Sequence, residues 1–128
     1  MVVGPVGQIH ISCTDLDRAI EFYRDVLGVP MLFRVPGQEM AFFQSGDVRL
    51  YLGVPETEAY RSQVMIYFTV DDIDAEFARL AERGVKVAEP PHLIHRDGVT
   101  ELWMAFFSDP DGQNLSVQIG RASCRERV

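Results

Sequence analysis

The tetrapeptide Met-Ala-Phe-Phe occurs twice in this chain, at Met40 to Phe43 and at Met104 to Phe107. Apolar strands draw on few residue types, so a short match could be chance. The surroundings repeat as well. Asp15-Leu16-Asp17 opens a helical pattern that closes at Gly28, and Asp72-Ile73-Asp74 opens one that closes at Gly84. A shared order of strand, capped helix, glycine and apolar strand marks a tandem duplication, with an insertion between helix and strand in the second copy. A cleft between two such halves is where a ligand is expected to sit. The whole chain of 128 residues suits one domain, whereas a half of about 60 residues would be marginal alone. The halves are therefore expected to share a core or to exchange elements with a second chain.

The local patterns predict the same elements in each half. Gln8 to Cys13 alternates as a strand, with Ile9, Ile11 and Cys13 on one side and Gln8, His10 and Ser12 on the other. Asp15 or Thr14 can cap a helix whose Leu16, Ala19, Ile20, Phe22, Tyr23, Val26 and Leu27 form an apolar stripe ending at Gly28. Strands are expected at Pro30 to Val35, Glu39 to Gln44 and Val48 to Gly53, the last two joined by a hairpin at Ser45-Gly46-Asp47. After a linker over 55–62 the pattern restarts, with a strand at Val64 to Val70 and a helix from Asp72 to Arg83. Further strands are expected at Val85 to Ala88, Glu101 to Phe107 and Leu115 to Ile119. The Pro-rich run Pro90 to Gly98 reads as a loop with some extended character, and Asp109-Pro110-Asp111-Gly112 reads as a turn. The class is α+β, built of two tandem βαβββ modules over 5–54 and 63–120.

Charge and composition remove several function classes. Acidic residues outnumber basic ones by 19 to 12, for a formal charge of -7, and no basic cluster interleaves with aromatics. Nucleic acid is not an expected partner. No apolar run approaches the roughly 20 residues that cross a bilayer, and the N-terminus lacks signal-peptide regions. The expectation is a cytoplasmic protein with no membrane partner. Cys13 and Cys124 provide no framework of bridges, and Cys13 reads as a small buried hydrophobe. Residues 121–128 lack apolar periodicity and read as a disordered or vector-derived tail.

Three segments carry a family resemblance: Asp15-Leu16-Asp17-Arg18-Ala19-Ile20-Glu21-Phe22-Tyr23 through Leu27-Gly28, then Val70-Asp71-Asp72, and Phe107-Ser108-Asp109-Pro110-Asp111-Gly112. With the duplication, they resemble the vicinal oxygen chelate superfamily of glyoxalase I, extradiol dioxygenases and bleomycin resistance proteins. The resemblance implies a cupped, mostly antiparallel sheet with helices on its outer face, and a divalent metal held by His, Gln or Glu from the first and last strand of each half. Carried over by spacing, those positions are Gln8, Leu50, Met65 and Ser116. Gln8 alone is a good ligand for a hard cation; Leu50 has no donor, Met65 a soft thioether and Ser116 a weak neutral hydroxyl. No metal site and no cofactor are expected here.

With no ion, Gln8, His10, Leu50, Met65, Tyr67, Ser116 and Gln118 would line a mixed apolar and polar site for an organic molecule. Trp103 and Phe33 could add flat surfaces. His10 is a candidate acid or base, because its ordinary pKa lies near neutrality. A shifted metal set of His10, Gln118 and Glu101 would require a strand slip that the apolar alternation forbids. His92 and His95 have ligand spacing only on a helix, which their Pro-rich context opposes.

The expected function is metal-independent binding of a small organic molecule, similar in kind to sequestration by bleomycin resistance proteins, in a homodimer. The competing reading is a metal-dependent, glyoxalase-like lyase, isomerase or dioxygenase. A third is a structural or regulatory dimer.

Overall fold

A computed structural model of the chain describes residues 3–122, with side chains through residue 120. The chain divides into two compact units, Met1–Val64 and Met65–Val128.

In the first unit, β1 (Gln8–Ser12) leads to α1 (Leu16–Ile20) and then to β2 (Met31–Arg34), β3 (Met40–Ser45) and β4 (Val48–Gly53). Asp15 caps α1 by accepting the Arg18 N–H, as its place before the apolar stripe predicts. The predicted continuous α-helix to Gly28 is not what forms. From Glu21 to Val26 the chain takes a π-helical turn, in which the Leu27 N–H reaches back to the Phe22 carbonyl at 2.9 Å. Gly28, at a φ of 81°, ends it, because a side chain there would meet the left-handed steric penalty.

The strands form one mixed sheet in the order β1-β4-β3-β2. β1 runs parallel to β4, and the other pairs are antiparallel. One face packs against α1, burying Ile11, Ala41, Phe43, Leu50 and Leu52 beneath Leu16, Ala19, Ile20 and Tyr23. The Tyr23 and Phe43 rings meet there at 6.4 Å. The residues between 54 and 62, predicted as a linker, include a 3-10 turn at Glu58–Tyr60.

The second unit repeats the plan: β5 (Ile66–Thr69), α2 (Ile73–Glu82), β6 (Lys86–Arg96), β7 (Thr100–Ser108) and β8 (Asn114–Ala122). Its sheet order is β5-β8-β7-β6, again with one parallel pair. Asp72 caps α2 through the Ala75 N–H at 3.1 Å. Ile73 and Leu80 are buried, as are Ala105, Phe107, Leu115 and Val117.

Most predicted strand ends move by a residue or two, and two segments change more. The Pro90 to Gly98 loop is mostly strand, since β6 runs from Lys86 through both prolines to Arg96 with three register shifts against β7. Pro cannot donate to a ladder, but an edge strand with bulges tolerates it. The predicted tail gives up its first two residues to β8, where Arg121 pairs with Glu101 and Ala122 with Thr100. Backbone pairing extends that strand, so apolar periodicity was the wrong guide to its end. The rest of the predicted tail, 123–128, lies outside the described residues.

Candidate functional site

Each sheet turns one face away from its helix, and strand alternation decides which side chains stand on it. In the first unit these are Gln8 and His10 from β1, Arg49 and Tyr51 from β4, Phe42 from β3 and Phe33 from β2. The parallel register sets His10 beside Tyr51, and their rings lie 4.6 Å apart. Tyr51 neighbours Phe42 at 5.1 Å, and Phe42 neighbours Phe33 at 4.9 Å. The Arg49 guanidinium sits 5.4 Å from the centre of the Phe42 ring. The Tyr51 ring folds over Gly53, where an added Cβ would come within 2.7 Å of it, so glycine is what lets the tyrosine lie there.

His10 is half-buried, and its Nε2 lies 3.0 Å from Ser12 Oγ. Ser12 is clasped reciprocally with Ser62: its N–H donates to Ser62 Oγ and its Oγ accepts the Ser62 N–H. The His10 Nδ1 is buried without a well-formed hydrogen bond. Burial pushes the His10 pKa down, opposed in part by the Tyr51 main chain, so the neutral ring is favoured. Among the described residues no carboxylate orients it, and the geometry suits a binding contact better than proton transfer.

In the second unit the corresponding face carries Met65 and Tyr67, Ser116 and Gln118 from β8, Met104 and Phe106 from β7, and His92 from β6. Met65 and Tyr67 are 41% and 43% exposed, and the Tyr67 hydroxyl donates to Met65 Sδ at 3.5 Å. Phe106 contacts both Tyr67 and His92 by its ring. His92 reaches this face because the register shifts in β6 advance it to stand opposite Met104. Its Nδ1 lies 2.8 Å from the Pro90 carbonyl.

Two expected site residues stand elsewhere. Leu50 is 2% exposed and belongs to the helix-facing core. Register gives the physical reason: Phe42 of the first Met-Ala-Phe-Phe pairs with Tyr51, and Phe106 of the second pairs with Ser116. Tyr51 is therefore the counterpart of Ser116, and counting across hairpins of different length displaced the expectation by one residue. Trp103 is also on the other face, in phase with Ala105 and Phe107, and donates its Nε1–H to Glu101 at 2.9 Å. Glu101 shares that side. It is 2% exposed and accepts from Arg96 Nε at 2.9 Å, so it cannot join Gln118 in a shifted metal set.

The superfamily's metal positions, corrected by register, hold Gln8, Tyr51, Met65 and Ser116. Taken one by one, they are poor ligands for a divalent cation. None is a carboxylate or imidazole, and the fully buried Ser116 commits its hydroxyl to the Ala105 carbonyl at 2.9 Å. Among the described residues, no three His, Cys, Asp or Glu side chains gather around a point that could hold a metal. Nor is any described helix long and apolar enough to cross a membrane.

The repeated βαβββ plan defines a glyoxalase-type fold, and comparison with known proteins agrees. Residues 6–117 match the model of the Glyoxalase/Bleomycin resistance protein/Dioxygenase superfamily, and the chain belongs to it. It is 32% identical to the metallothiol transferase FosB of Staphylococcus epidermidis, over 94% of this chain and 86% of that protein. Among solved structures it is similar to TnmS3, an antibiotic binding protein from Streptomyces sp. CB03234, with a TM-score of 0.72 and 27% identity over 96% of this chain and 99% of that one. It also resembles lactoylglutathione lyase from Agrobacterium tumefaciens, with a TM-score of 0.71 and 25% identity over 92% and 95% of the two chains.

Proposed function

We propose that this protein binds a small organic molecule without a metal ion; its likeness to an antibiotic binding protein supports the binding of a small molecule. The observation that carries this reading is the donor set at the superfamily's metal positions. An amide, a phenol, a thioether and a committed hydroxyl would lose a hard divalent cation to water. Within each unit, the sheet face turned from the helix instead carries rings and hydrogen-bonding groups, a surface suited to an organic ligand. Gln8 and His10 in the first unit, and Tyr67 and Gln118 in the second, are the polar groups each face offers to a ligand, and His10, kept neutral by burial, acts as a binding group.

The rival reading is a metal-dependent transferase, favoured by the 32% identity to a metallothiol transferase. Metal content separates the two. Protein purified without chelator should contain well under one equivalent of Mn, Ni, Zn or Fe per chain. Its melting temperature should not respond to added metal or to EDTA. One equivalent of metal that is lost in Gln8→Ala would establish the rival instead.

A further inference from the structure

The face of the first sheet that turns away from α1 has a charge pattern opposite to that of the chain. The formal charge is -7, yet none of the four strands Gln8–Ser12, Met31–Arg34, Met40–Ser45 and Val48–Gly53 contains an Asp or Glu. Their charged side chains are Arg34 and Arg49. Arg34 is spent on the helix side, where it pairs with Asp17. Arg49 is exposed, and among the described residues its recorded side-chain contact is the Phe42 ring.

The rings beside it are not a flat pavement. His10, Tyr51, Phe42 and Phe33 are successive cross-strand neighbours, with centroids 4.6, 5.1 and 4.9 Å apart and interplanar angles of 47°, 22° and 35°. Those separations match the spacing of adjacent strands, about 4.8 Å. Rings lying side by side in the plane of the sheet could not come so close. They must face one another across the strands, with Tyr51 leaning along its strand over Gly53, so that ring edges turn outward. The edge of an aromatic ring carries the positive part of its quadrupole, so a row of edges favours an electron-rich π face or an anion. The guanidinium adds a planar fork matched to a carboxylate.

We infer that this face recognises a flat aromatic carboxylate, with the ring plane laid across the edges of Phe33, Phe42 and Tyr51 and the carboxylate held by Arg49. This rests on the preceding reading that the protein binds a small organic molecule, and it specifies that molecule's class. The overall negative charge does not oppose it. Acidic residues of this unit lie off the strands, and exposed charges are weakened by solvent and salt. A direct guanidinium contact outweighs them.

The test is a matched set of probes of one shape: naphthalene-2-carboxylate, its carboxamide and 2-naphthylmethylammonium. Each is titrated into the full chain by calorimetry or by NMR. The carboxylate should bind at least about tenfold tighter than the amide, as a charge-assisted pair implies, and the ammonium weakest. In Arg49→Met, checked for an unchanged circular dichroism spectrum, the carboxylate-to-amide ratio should collapse toward one. Equal binding of the three, preference for the ammonium, or a ratio that persists in Arg49→Met would overturn the inference. So would absence of binding by all three. None of these results touches the question of metal dependence, which metal content decides separately.

Discussion

Burial holds the His10 imidazole below its ordinary pKa, and this gives the residue a sign in the pH dependence of stability. The unfolded chain takes up the proton more readily than the folded one, so protons favour unfolding. The folded state should be fully stable with respect to His10 above the unfolded value of about 6.5 and should lose stability as the pH falls through it. His10→Gln, which keeps a polar neighbour for Ser12, should flatten this part of the profile. Melting temperatures of both proteins between about pH 7.5 and 5 check it, since His92 and His95 remain in each; parallel profiles would refute it. Single residues were legible in the sequence where alternation alone decided them. That is why Gln8 and His10 share a face as expected. Tyr51 was missed because its place depends on register across a hairpin, which pairing sets and residue counting does not. Trp103 was misplaced because a lone tryptophan does not declare its face; only its phase with Ala105 and Phe107 does.

At the scale of elements, the helix starts were the clearest signals, since an acidic side chain before an apolar stripe has a local job. Asp72 performs it by accepting the Ala75 N–H at 3.1 Å, with Ile73 and Leu80 buried beneath. Asp72→Ala should cost about 1 kcal/mol, which in a chain of this size lowers the melting temperature by roughly 3 to 6 °C. Urea unfolding with an unchanged m-value would show it, and a loss under 0.3 kcal/mol, about the effect of a neutral surface change, would deny the cap its role. The π-helical turn at Glu21–Val26 was not legible, because the same apolar stripe serves an α-helix and its wider relative. β6 was obscured by Pro90-Pro91, which read as a loop until the bulges show how the strand absorbs them.

At the scale of the molecule, the duplication was the most legible property. Both units repeat one connectivity and one strand order, with a glycine of positive φ closing each helical segment at Gly28 and Gly84. Net charge was legible too, but its distribution was not, because only the strand boundaries reveal a first sheet free of carboxylates. The interrupted register of β6 has a further consequence. β6 is the outermost strand of its sheet and, at 11 residues, the longest of the eight described strands. A straight strand of that length would offer a row of unmatched amides on which another chain could grow. Its two prolines and three register shifts break that row. Replacing both, as Pro90→Val with Pro91→Val, should speed aggregation on mild heating, read as turbidity and thioflavin T fluorescence against time; an unchanged lag would rule this out. On this reading the prolines and register shifts of β6 act on the protein's colloidal behaviour, as a guard against fibril growth.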